Sequence, residues 1–270
     1  MGAVTPEEAS SLIARDVRRA DRSIDGFLSE LILFLERRLL EQLRDFPTGG
    51  GQLTQRQTLR VLGGLESLVF DSSLEERMDI VRELFDLQEQ LSNGTLERLI
   101  GKQPSSLSRE TKRDLGVFVS SRQALIRAAV SQYIANVREQ LVSSILSNQQ
   151  LVISDVLQQA GGRIFSDLKV RLQTDISTYG RLSKLERGLR GGYVYFLYAG
   201  PRDDRNRPFC AERANNIYHI NDIYTWQNGQ LEPPWIYCGG YNCRHELVPS
   251  EVPDGLPNAS ARPAEEPPKT

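Results

Sequence analysis

Residues 181–201 read RLSKLERGLRGGYVYFLYAGP, and two kinds of local order meet inside them. Up to Arg190 the chain is charged and leucine-rich, and Phe165, Leu168, Leu172, Tyr179, Leu182 and Leu189 recur on one helical face. Gly191-Gly192 ends that pattern. The run Tyr-Val-Tyr-Phe-Leu-Tyr (193–198) is aromatic and β-prone, so it reads as a strand. The fold follows from this boundary: helix before it, a small β-rich part after it.

Working towards the N-terminus, Thr5-Pro6-Glu7-Glu8 forms a capping box with Pro in the first helical position. The stripe Ile24, Phe27, Leu28, Leu31, Leu35, Leu39, Leu43 and Phe46 then continues to a break at Pro47–Gly51. A shorter helix is expected from Gln55 to Phe70 with Leu62, Leu65 and Val69 inward. Another starts at Ser72 and Ser73, each three residues before a glutamate, and runs to Asn93-Gly94. After a loop at 101–108, Ile126, Val130, Tyr133, Val137, Leu141 and Ile145 mark a long helix from about Arg109 to Gln159. Asn148-Gln149-Gln150 can interrupt it, and Gly161-Gly162 is expected to end it. The fold class is therefore mainly α: an elongated helical bundle over 1–190, a small β-rich α+β module over 193–249 and a disordered Pro-rich tail over 250–270. Within the module, Asn228-Gly229 between Ile223–Gln227 and Gln230–Leu231 predicts a hairpin, and 241–248 a further strand.

Composition narrows the function classes. A net charge of -2 over 270 residues describes no polyelectrolyte seeking nucleic acid. No apolar run approaches the roughly 18 residues of a membrane span. The opening MGAVTPEEASS lacks the basic-then-apolar order of a signal peptide, and Pro6 stands where a myristoylation pattern wants Ser or Thr. The cytosol is the expected place of synthesis. No GxSxG elbow, P-loop or HExxH occurs, and a Cys210/His219 dyad lacks supporting motifs, so no enzyme is expected.

All three cysteines (Cys210, Cys238, Cys243) and both histidines (His219, His245) fall after residue 193. Cys243 and His245, two apart, share a face if extended, and Cys210 with either His219 or Cys238 would complete four zinc ligands. No spacing matches a standard zinc finger or ribbon, and the bland reading is small buried thiols beside a hydrogen-bonded histidine. Asp203, Asp204, Arg205 and Arg207 read either as an acid cluster or as a Gly-Pro turn in which Asp caps amides and Arg pairs with carboxylates; the turn is favoured. Arg181, Lys184, Arg187 and Arg190 read as a solvated last helical turn, with contact to DNA or an acidic partner as the functional alternative.

The segment YVYFLYAGPRDDRNRPFCAERANNIYHINDI, followed by YTWQNGQLEPP and CGGYNCRHELVP, resembles the C-terminal module of the phage head morphogenesis family, the minor head proteins related to the F protein of phage Mu. The likeness lies in the order of its pieces: an aromatic strand, Gly200-Pro201, Asp204-Arg205 leading to Arg207-Pro208-Phe209-Cys210, the Asn-Gly turn, a Pro-Pro turn, and Cys243-Arg244-His245. Asn206 stands where Thr is common in relatives. The resemblance covers about residues 193–249 and implies a low-copy structural protein of the virion, at the portal vertex or capsid interior, aiding head assembly or DNA delivery. Implied partners are the portal or other head and connector proteins and packaged DNA, in an oligomeric setting. The alternative class is a zinc-containing nucleic-acid-binding protein or nuclease. A head-associated toxin, a third class, has no room after the module.

Overall fold

A computed structural model describes residues 5–41, 52–69, 72–147, 151–231 and 233–251. The chain is mostly helical with a small antiparallel sheet near the C-terminus. Helix α1 spans Pro6–Glu41, and strand β1, Gln52–Leu53, precedes α2, Gln55–Val69. Helix α3 spans Ser72–Ile100 and α4 Arg109–Ser147; strand β2, Leu151–Val152, leads into α5, Ile153–Arg190. Strand β3, Tyr195–Ala199, is followed by α6 (Pro208–Arg213), β4 (Ile217–His219), α7 (Ile220–Ile223), α8 (Pro234–Tyr237) and β5 (Glu246–Ser250).

Several ends follow from local chemistry. The capping box opens α1: Thr5 N–H donates to Glu8 Oε2 at 2.9 Å, and Glu8 N–H to Thr5 Oγ1 at 3.2 Å. Helix α5 closes through paired bonds, Gly192 N–H to Leu189 O and Tyr193 N–H to Gly188 O, both 3.0 Å, with Gly192 at φ 83°. Three expected boundaries are corrected. Asn93-Gly94 lies inside α3, and Gly161-Gly162 lies inside α5. Asn228-Gly229 joins no strands: Asn228 Oδ1 accepts from the amides of Gln230 and Leu231 (2.8 and 3.0 Å) in an isolated Asx turn, and residues 220–223 are the short helix α7. The expected break at 47–51 and the tail from 252 onward lie outside the described residues, as do 148–150.

Contacts divide the chain into two compact units. One comprises residues 23–83 and 118–170. Its core holds Ile24, Leu31 and Leu35 of α1, Leu65 of α2, and Ile126, Val130 and Val137 of α4, all buried as their periodicity predicts, whereas on α2 Val61 is buried and Leu62, expected inward, is half-buried. The other comprises 1–22, 84–117 and 171–270. Residues 193–249, read as a module of their own, thus share a unit with the ends of α1 and α5 and with parts of α3 and α4.

In that second unit β3 is the central strand, in the order β4-β3-β5 with both pairings antiparallel. Its alternation covers two faces. Leu197 and Ala199, with Val248 of β5, pack on Ala9 and Ile13 of α1. Phe196 and Tyr198, with Leu247, pack instead among Leu185, Ile220, Ile223, Trp235 and the three cysteines. A strand buried on both sides explains the continuous apolar run, which gave no alternation to read.

Candidate metal centre

Pro208 fixes the start of α6, with Arg207 extended at φ -67°, ψ 154° before it, and so sets Cys210 in the first turn, buried. A tight turn at 240–243 (Cys243 N–H to Gly240 O, 3.2 Å) returns Cys243 to the same place, and His245 enters just before β5. Tyr198 of β3 forms the floor. Its ring stacks on His245 at 5.1 Å and 11°, and its hydroxyl donates to Cys210 Sγ at 3.4 Å and lies 3.9 Å from Cys243 Sγ.

Cys210 Sγ and Cys243 Sγ are 3.6 Å apart, and Cys243 Sγ is 3.8 Å from His245 Nδ1. The three ligand atoms lie within 4.8 Å of one another, and all three residues are buried. The Gly239 amide donates to Cys243 Sγ at 3.2 Å. Two glycines make space: a Cβ on Gly239 would lie 2.3 Å from Cys210 Sγ, and one on Gly200 would lie 2.6 Å from His245 Cδ2. His245 Nε2 is buried with no hydrogen-bond partner among the described residues. Two sulfurs and an imidazole at this spacing can hold a metal ion.

The electrostatics favour an anionic sulfur at Cys243. The Cys210 thiol, donating to Cys243 Sγ, holds Cys243 well below the usual thiol range despite burial, and His245 and Arg181 add to this. The same hydrogen bond, with burial, pushes Cys210 up. Burial pushes Cys238 up to about 12 against the pull of Arg181. The Tyr198 phenol is raised well above its ordinary value, mainly by burial, and stays protonated as a donor.

Arg181 and Lys184 correct the reading of a solvated basic turn: they are 1% and 0% exposed. Arg181 Nε donates to His245 O at 2.9 Å, one Nη to Cys243 O, and the other to Ile236 O and Tyr237 O at 3.5 and 3.4 Å. It ties the end of α8 to the segment that carries Cys243 and His245. Burial works against its charge, but the sulfurs of Cys238 and Cys243 and the Glu246 carboxylate outweigh that and hold its pKa above the ordinary value. Lys184, one turn on, pairs with Glu246, both nearly inaccessible. Arg187 binds Ser105 O and Glu89, and Arg190 binds Ser106 O. No sequence signal distinguished the buried Arg181 and Lys184 from the exposed Arg190.

The other candidates separate from the cluster. His219 Nδ1 accepts from the Asn221 amide as the cap of α7, and its ring meets Tyr195 edge-on at 5.1 Å. It lies outside the group of three. Cys238 is fully buried at the end of α8, outside the group of three. In the motif turn Asp203, not Asp204, carries the bonds: it accepts from the Arg205 amide at 3.1 Å and takes both Nη groups of Arg244 at 2.6 Å. Arg207 donates to Tyr241 O at 2.7 Å, while Asp204 and Arg205 are exposed. Compared with protein-family models, with curated proteins and with solved structures, the chain matches none of them.

Proposed function

We propose that Cys210, Cys243 and His245 hold a structural zinc ion and that the protein is a minor head protein of a tailed phage, acting at the portal vertex or capsid interior. The observation that carries the metal is the sulfur separation. Zinc at about 2.3 Å from each thiolate sets tetrahedral sulfurs about 3.8 Å apart, and Cys210 and Cys243 stand at 3.6 Å. Paired thiolates with an imidazole suit a borderline-soft ion such as zinc and not the hard oxygen-seeking ions.

The structural role is supported by how the motif residues are used. Asp203 grips Arg244, and Arg207 grips the Tyr241 carbonyl, so the turn at 203–207 is clipped twice to residues 241–244. Their polar groups serve internal links, and the donor set is buried, as suits a staple more than a reaction centre. The resemblance of residues 193–249 to the head morphogenesis module supplies the assembly setting. Peptide mass spectrometry and reconstruction of purified particles test it: a low-copy density at the vertex that holds the portal is expected. Particles lacking the protein, or nuclease activity of the purified chain that Asp204→Ala abolishes, would overturn the reading.

A further inference from the structure

We propose that Cys210 and Cys243 are also a peroxide-reactive pair, which closes a disulfide on oxidation and gives up the ion. Loss of the ion rests on the zinc reading above; formation of the bond does not. The observation that carries the pair is the contact of its sulfurs, 3.6 Å apart and both buried. A disulfide holds its sulfurs at about 2.05 Å, so closure takes about 1.5 Å of travel, shared between two side chains. Gly239 leaves the space in which they meet. A Cβ there would stand 2.3 Å from Cys210 Sγ and 3.3 Å from Cys243 Sγ. The third thiol, Cys238, stands outside the group whose ligand atoms lie within 4.8 Å of one another.

The two sulfurs are not equivalent. A cleft of about 70 Å³, lined by Asp21, Gln173, Ser177, Arg205 and Asn242 among others, reaches Cys243; Cys210 does not line it. A water needs only about 10–15 Å³ of such space, so a small hydroperoxide fits. Cys243 Sγ accepts from the Gly239 amide at 3.2 Å and from the Cys210 thiol, and both bonds favour its thiolate. Cys210 Sγ, which takes the Tyr198 hydroxyl at 3.4 Å, waits behind it as the second sulfur.

The chemistry follows in two steps. The Cys243 thiolate gives an electron pair to one peroxide oxygen, the O–O bond breaks, and the other oxygen leaves as an oxyanion that takes a proton from water. Cys210 then attacks the sulfenic sulfur: the S–S bond forms, the S–O bond breaks, and the hydroxyl leaves as water with the Cys210 proton. Two electrons pass from the sulfurs to the peroxide. Two of the three ligands are thereby lost to the metal. Helix α6 and the turn at 240–243 stay joined throughout, through an ion when reduced and through a bond when oxidised.

Hydrogen peroxide treatment of the folded full chain, followed by peptide mapping, tests this. In an unfolded chain, loop closure favours the pair nearest in sequence, Cys238–Cys243, over Cys210–Cys243 by on the order of tenfold. The folded chain should reverse that preference, join Cys210 to Cys243 and leave Cys238 free, and dithiothreitol should restore all three thiols. In Cys210→Ser, with its fold checked by circular dichroism, a sulfenate probe such as dimedone should mark Cys243. Zinc carried by the chain should be released in step with the bond. Three thiols that stay reduced in the folded chain, a Cys238–Cys243 bond, or a disulfide formed with the ion retained would each overturn the inference. A chain that takes up no zinc yet closes Cys210–Cys243 overturns the metal reading and supports the reactive pair.

Discussion

Gly239 has Cys210 Sγ where its Cβ would be, at 2.3 Å, and Cys243 Sγ only 3.3 Å away. Gly239→Ala should therefore displace a sulfur, weaken metal retention and destabilise the fold by about 1–3 kcal/mol; a melting curve with and without zinc measures both. Arg181→Met removes donors from the carbonyls of Cys243 and His245. Each buried carbonyl left unmade costs about 1–3 kcal/mol, so a clear drop in the urea midpoint is expected, and an unchanged midpoint would contradict the bonding. At Asp203, Arg244 holds the carboxyl below its ordinary value. A depressed acid contributes stability above its unfolded pKa and loses it as pH falls through the folded value, so this link should fail only below the usual carboxylate range. Asp203→Asn should flatten that acid limb. The Cys and His candidates were legible because no others exist in the chain. Arg181 was not, since its partners lie 55 to 64 residues away and nothing in helical spacing separates a buried cation from a solvated one.

Two glycine sites that read as helix ends lie within helices, and the reason is a contest of magnitudes. A glycine in a helix interior costs about 1 kcal/mol. Burying one large apolar side chain returns about 1.5–3 kcal/mol, and beyond Gly94 lies Leu96, fully buried. Helix α3 therefore runs on to Ile100. The same contest predicts opposite signs at two positions. At Gly94 an added Cβ meets nothing within 4 Å, so Gly94→Ala should stabilise by about 0.5–1 kcal/mol. At Gly188 it would lie 2.5 Å from the Pro249 ring of β5 and 3.0 Å from Phe196 of β3, so Gly188→Ala should destabilise by about 1–3 kcal/mol. Thermal denaturation of both variants decides it; equal signs would show that helix propensity alone governs them. The strand at 195–199 was legible from its aromatic run, whereas its partners were not, because two three- to five-residue strands paired across long loops leave no periodic signature.

At the scale of the molecule, the composition change at Tyr193 marked a change of secondary structure and not the edge of a compact unit. Both faces of the sheet are covered, one by α1 and the other by the cluster side of residues 209–247, and the unit includes residues 171–190 of α5. A segment of about 57 residues has too little core to stand alone without a staple or a neighbouring surface; here it has a helical neighbour, and the Cys210, Cys243 and His245 group could hold a metal. Elemental analysis of the full chain, purified without chelator, tests the central claim most directly. One zinc per chain should be present, resistant to dialysis and lost in Cys210→Ser and Cys243→Ser, whose helical circular dichroism persists. A metal-free chain whose three thiols react freely while it remains folded would contradict it.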